Sequence, residues 1–195
     1  RSITLLQVQA FVDATFSCVP APFYQCLVLM IYEQSLNIYV PIIWALMTGK
    51  TEACYWAVFK HIEDEIPEFN PVTMGVDFER GFFKTVLNFF PEAKLIGCLF
   101  HFKQATRKKM KVDIHIPDVE IYIAMATGML DLITVLPADE LWKKGIPFVR
   151  MMINEAIYEH YTEEVKEGKL EAMPDYQGKW DTFWAYFEKY VICII

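Results

Sequence analysis

Asn70–His101 reads NPVTMGVDFERGFFKTVLNFFPEAKLIGCLFH, and this stretch decides the fold. Val72–Val76 is short, apolar and β-branched, the pattern of a buried strand. Asp77 stands where that strand ends. Phe82, Phe83, Val86, Leu87 and Phe90 recur at helical spacing, and Pro91 stops the helix. Leu95–Leu99 reads as a second buried strand, leading into Cys98-Leu99-Phe100-His101. A carboxylate at one strand exit, with a Cys-x-x-His just after the neighbouring strand, points to a metal-dependent site more than to a packing accident.

Upstream, Gln7–Asp13 is a strand candidate that also ends in an acid, within VQAFVDATF. The CVPAP stretch at Cys18–Pro22 is a turn, Tyr24–Tyr32 is another apolar run, and Ser35–Asn37 reads as a hairpin turn. Tyr39–Met47 is a third strand, ended by Gly49, so this region reads as an antiparallel meander. Thr51 is a fair N-cap for a helix whose Tyr55, Phe59, Ile62 and Ile66 share one face, with Pro67 beyond its end. Glu63-Asp64-Glu65 belongs to a solvated face.

Downstream, a helix from Phe102 carries Lys103, Arg107, Lys108, Lys109 and Lys111. Beyond Asp113 strand signals largely vanish. Ile121–Leu136, Leu141–Tyr161 and Lys179–Val191 read as helices, with breaks at Pro137, Gly145-Ile146-Pro147 and Gly168–Gly178. The expected architecture is a mixed α/β core over 1–112, followed by a helical region over 113–195.

The 195 residues are 54% hydrophobic and 15% aromatic, enough for a large core and too apolar for a disordered chain. A net charge of −7 argues against a chain that binds nucleic acid nonspecifically over its whole surface, though a local basic patch is compatible with it. The five cysteines are scattered without framework spacing, which favours free thiols and a reducing compartment. No apolar run reaches membrane-spanning length, so no membrane partner is expected. The chain opens on Arg and closes on an apolar run, and both ends read as cut from something longer.

Asp13 and Asp77 stand at the ends of two strands; if those strands are adjacent in the sheet, the two hard carboxylates share one cleft, can hold Mg²⁺ or Mn²⁺ and support phosphodiester chemistry. The bland alternative is that each acid caps a turn. Cys98 and His101 are half of a zinc set that lacks an obvious second pair, or a packed thiol beside an orienting histidine. His61, His115 and His160 read as surface residues. The basic helix is either a solvated face or a contact for DNA phosphates through Lys103, Arg107, Lys108 and Lys109. Phe82, Phe83, Phe89 and Phe90 read as core, and Trp180, Phe183, Trp184, Tyr186 and Phe187 as core or interface.

DATF, VPIIWALMTGKTEACYWAVF, VTMGVDFERG and GCLFHFKQ, in this order, resemble the transposase domain of Mutator-like elements (MULE transposases) over about Leu5–Lys108. The family pattern is D-x-T-F, then V-P-x-x-x-x-L-x-x-x-K-x-x-x-x-Y, then D-x-E, then G-C-x-F-H-x-x-Q. The resemblance implies an RNase H-like fold of the α/β class, a mixed sheet with helices and then an all-helical insertion. It implies a DDE-type site in which Asp13 and Asp77 are the first two catalytic acids and metal ligands, with Cys98 and His101 nearby and Gln104 completing the segment. It also implies Mg²⁺ (or Mn²⁺) as cofactor, DNA (transposon ends and target) as partner, DNA strand cleavage and transfer as reaction, and the nucleus as location. A homo-oligomer is left open. The family's third acid follows the insertion in an N-N-x-x-E segment that this chain does not show. Glu155, Glu163, Glu164 and Glu188 lack its context. The alternative is an inactive or domesticated remnant that serves as an interaction module for protein or DNA.

Overall fold

The computed structural model describes residues 6–17, 19–77 and 79–190. The chain divides into two compact units, 1–98 and 99–195.

The first unit holds β1 (Leu6–Thr15), β2 (Gln25–Glu33), β3 (Ile38–Met47), α1 (Glu52–Glu65), β4 (Asn70–Val76), α2 (Arg80–Phe89) and β5 (Lys94–Gly97). The strands form one mixed sheet in the order β3-β2-β1-β4-β5. β1, β2 and β3 are joined antiparallel, whereas β1–β4 and β4–β5 are parallel. Short turns suffice for the first three strands, and the parallel ones need the helical crossovers α1 and α2.

One sheet face makes the core. Side chains alternate along a strand, so Val8, Ala10 and Val12 of β1 and Leu27, Leu29 and Ile31 of β2 are buried together. Tyr55, Phe59 and Ile62 of α1 and Phe82 and Val86 of α2 complete the same cluster, which bears out the stripes read from spacing except at Leu87, which is exposed. Burying a ring such as Phe59 contributes on the order of 2–3 kcal/mol. Thr51 caps α1 as expected, its hydroxyl accepting the Cys54 amide at 3.3 Å.

Of the strand bounds that differ from the reading, two bear on the candidate site. β1 runs past Asp13 to Thr15, because the antiparallel ladder to β2 continues to the Thr15–Cys26 pair. β5 stops at Gly97, and Leu99 already opens a helix. Leu99 and Phe100 are exposed there, so the apolar letters that prolong the strand in the sequence belong to the outer face of a first helical turn. A short apolar run cannot distinguish the two by periodicity.

The second unit is helical: α3 (Leu99–Lys108) passes into a π turn (Lys109–Asp113), then α4 (Asp118–Ala124), a 3₁₀ segment (Leu130–Val135), α5 (Ala138–Glu140), a second π turn (Leu141–Gly145), α6 (Ile146–Lys166) and α7 (Gln177–Tyr190). The units divide at 98/99 rather than 112/113 because α3 belongs with the later helices. Phe102 packs on Phe187 with ring centroids 6.0 Å apart, and Lys109 Nζ lies 4.4 Å from the Tyr186 ring centre. The single helix read over 121–136 is two pieces, separated at Gly128, whose φ of +83° breaks right-handed coiling. The break read at Gly145-Ile146-Pro147 is no interruption. Pro147 falls in the first turn of α6, where its missing N–H costs nothing. Trp180, Phe183, Trp184 and Phe187 are buried, which makes this stripe core. Among the described residues no helix is long and apolar enough to cross a membrane.

Candidate active site

β1 and β4 lie side by side and parallel, with Ala10 opposite Met74 and Phe11 opposite Gly75. The paired register ends there, and two residues further on come Asp13, near the end of β1, and Asp77, just after β4. Neighbouring strands are separated by about 4.8 Å, so the two carboxylates emerge at adjacent positions of the sheet. Gly75 permits this packing: a Cβ there would come within 2.3 Å of the Phe11 ring. In open sheets, ligands bind beyond the carboxyl ends of parallel strands.

Asp13 and Asp77 are both half-buried and line one small cleft with Val12, Ala14, Leu27, Tyr55, Glu79 and Phe82. The Ala14 amide donates to Asp13 Oδ1 at 2.8 Å, which fixes the first carboxylate's orientation. Cys98 extends the row. Val76 pairs with Gly97, and the Cys98 amide donates to the Val76 carbonyl at 2.9 Å, so Cys98 leaves β5 beside the Asp77 exit. Its thiol is free and half-buried.

The remaining candidate site residues, His101, Lys103, Arg107, Lys108 and Lys109, lie in the second unit. His101 is half-buried in the first turn of α3. Lys103 pairs with Asp131 at 3.3 Å and Lys109 with Asp113 at 2.9 Å, while Arg107 and Lys108 are exposed. His61 and His115 are exposed and His160 is half-buried. Cys18 and Cys193 lie outside the described residues.

Sequence reasoning assigned no role to four further residues at the cleft. Tyr55 donates its hydroxyl to Glu79 Oε2 at 2.5 Å and accepts from Gln25 Nε2 at 3.1 Å. Lys50 Nζ meets Glu79 Oε1 at 3.0 Å. Burial above all pushes the Tyr55 hydroxyl well above its usual range; the Gln25 hydrogen bond opposes this and the Glu79 carboxylate adds to it. The hydrogen bond to Glu79 raises Lys50. Tyr55 therefore stays neutral and Lys50 charged across the ordinary pH range. Lys50, Tyr55 and Glu79 stand at the fixed K, Y and E of the quoted segments, and that signal could have found them.

Two carboxylates on one edge are hard oxygen donors suited to Mg²⁺ or Mn²⁺. Among the described residues no group of three or more His, Cys, Asp or Glu side chains is gathered for a metal ion. Two carboxylates alone could supply only part of such a cation's ligands, the rest coming from water or phosphate. A wider hollow in the second unit, lined by Arg150, Asn154, Trp180, Asp181 and Trp184 among others, has its one carboxylate ion-paired to Arg150 and offers no such set.

No curated protein matches the chain. Residues 10–105, the segment that contains Asp13, Asp77, Cys98 and His101, match the family model described as the MULE transposase domain.

Proposed function

We propose that this chain carries the first two acids of a DDE-type DNA strand-cleavage and strand-transfer site. One observation supports the reading: Asp13 and Asp77, carried by the neighbouring parallel strands β1 and β4, line the same small cleft. An RNase H-like core is the fold reading that the β3-β2-β1-β4-β5 order supports, with the helical unit as its insertion.

Asp13 and Asp77 would hold the cation, Mg²⁺ or Mn²⁺. Such an ion supplies Lewis acidity that activates a water or 3′-hydroxyl and stabilises the leaving oxygen. The strand-end position leaves the cleft open to a phosphodiester. In the proposed reaction a water oxygen attacks phosphorus at the element end and releases a 3′-hydroxyl, whose oxygen then attacks a target phosphorus, loses its proton and displaces the target strand's own 3′-oxygen, which takes up a proton. Exposed Arg107 and Lys108 are suited to backbone phosphates. A third carboxylate, from beyond these residues, would complete the family's set.

Mn²⁺ titration of the chain followed by electron paramagnetic resonance tests the reading. Asp13→Asn and Asp77→Asn should each weaken binding at least tenfold, while Asp139→Asn leaves it unchanged. Binding indifferent to both substitutions would end the proposal. Plasmid nicking in Mn²⁺ should be weak. Robust nicking abolished by Asp77→Ala would show that two carboxylates suffice. A remnant serving as an interaction module, which the −7 net charge favours, predicts retained partner binding with no Mn²⁺ response.

A further inference from the structure

Glu79 occupies the N-cap position of α2, with extended backbone (φ −74°, ψ 117°), yet its side chain makes no capping hydrogen bond. The first-turn amides would be the usual partners of a polar side chain at that position. The carboxylate instead points to α1 and to the β3–α1 loop, with one oxygen on the Tyr55 hydroxyl and the other on Lys50. Tyr55 is itself anchored: it is 3% exposed and accepts from Gln25, which is fully buried at the start of β2. The bridge thus ties the segment that follows β4 to three other elements, two residues after Asp77.

We propose that Tyr55 and Glu79 are positioning residues that hold Asp77 at the cleft it shares with Asp13, with Lys50 neutralising Glu79. The inference rests on the reading of Asp13 and Asp77 as a cation site. Its logic is that of any outer partner of a metal ligand. A ligand on a short connecting segment has many orientations, and a buried hydrogen-bonded neighbour selects one before the ion arrives, so its loss typically weakens binding 10–100-fold. The charge balance matters as well. A bare Glu79 would add a third negative charge beside the pair, and Lys50 cancels it at 3.0 Å.

The full chain and its Tyr55→Phe, Glu79→Gln and Glu79→Ala variants test this by Mn²⁺ titration and by hydrogen exchange at the Asp77 and Glu79 amides without metal. Tyr55→Phe keeps the ring and removes only the hydroxyl. It should weaken Mn²⁺ binding about tenfold and speed exchange at both amides at least as much, with the melting temperature little changed. Glu79→Gln, whose amide oxygen still accepts the Tyr55 O–H, should lose less than Glu79→Ala. Binding and exchange within twofold of the unmodified chain in both Tyr55→Phe and Glu79→Ala would overturn the proposal. An unmodified chain that binds no Mn²⁺ would instead fail the cation reading, and exchange alone would then decide the bridge.

Discussion

Each unit of this protein contains a tyrosine hydroxyl donated to a glutamate, and the two pairs sit in opposite settings. In the helical unit Glu120 is 1% exposed, and its two oxygens accept from Tyr161 at 2.6 Å and from Trp180 Nε1 at 2.7 Å. These two donors satisfy both oxygens inside the core, which leaves the group a structural task. In the sheet unit Glu79 is half-buried, ion-paired to Lys50 and lines one cleft with two further half-buried carboxylates, Asp13 near the end of β1 and Asp77 just after β4. The same motif fastens a core in one place and borders an open, charged cleft in the other. Exposure and the neighbouring charges, rather than the hydrogen bond, distinguish structure from site.

The strongest way to break this contrast is Glu120→Ala. It strands two buried donors, each costing roughly 1–3 kcal/mol, so the helical unit should lose about 3 kcal/mol or more in urea unfolding. A loss below about 1 kcal/mol would mean that water replaces the carboxylate and that Glu120 is less enclosed than its exposure indicates.

Gly75→Ala probes the seam beside the acids. The new methyl would meet the Phe11 ring, and overpacking of this kind costs about 1–3 kcal/mol. A second change, Phe11→Leu, should recover part of that loss if the ring is the obstacle.

Alkaline titration sharpens the contrast further. Burial first, then the Glu120 carboxylate, push Tyr161 well above the ordinary tyrosine value of 10.0, and burial does the same to Tyr55. A raised folded value means that the associated stability is complete below pH 10.0 and is lost as pH climbs through the folded value. Urea midpoints should therefore fall above pH 10.0, and Tyr161→Phe should flatten the fall.

The smallest effect is expected at the site itself. Asp13→Asn removes a like charge beside Asp77, so the metal-free protein should gain up to about 0.5 kcal/mol, while Mn²⁺ ceases to raise the melting temperature. A loss of stability without metal would show that Asp13 serves the fold.

Spacing and composition by themselves determined much of this protein. The apolar stripes of α1 and α2, the Thr51 cap, the antiparallel meander and the acid after β4 all follow from local pattern, because period and capping are local physics. The ordered segments through which the family is matched were also legible. What the letters did not give was which strands are neighbours. Alternation assigns each side chain a face but names no partner, so the meeting of Asp13 and Asp77 at one cleft had to come from the β1–β4 neighbourhood. For the same reason Glu120 passed unremarked: an acid on a short helix looks solvated until Tyr161 and Trp180 are brought over it from 41 and 60 residues away. Lys103 read as part of a basic face until Asp131, 28 residues on, was found beside it. Long-range contacts settle what a charge is for, because a carboxylate's role depends on which donors and which neighbouring charges surround it, and these are set by tertiary packing rather than by its place in the chain.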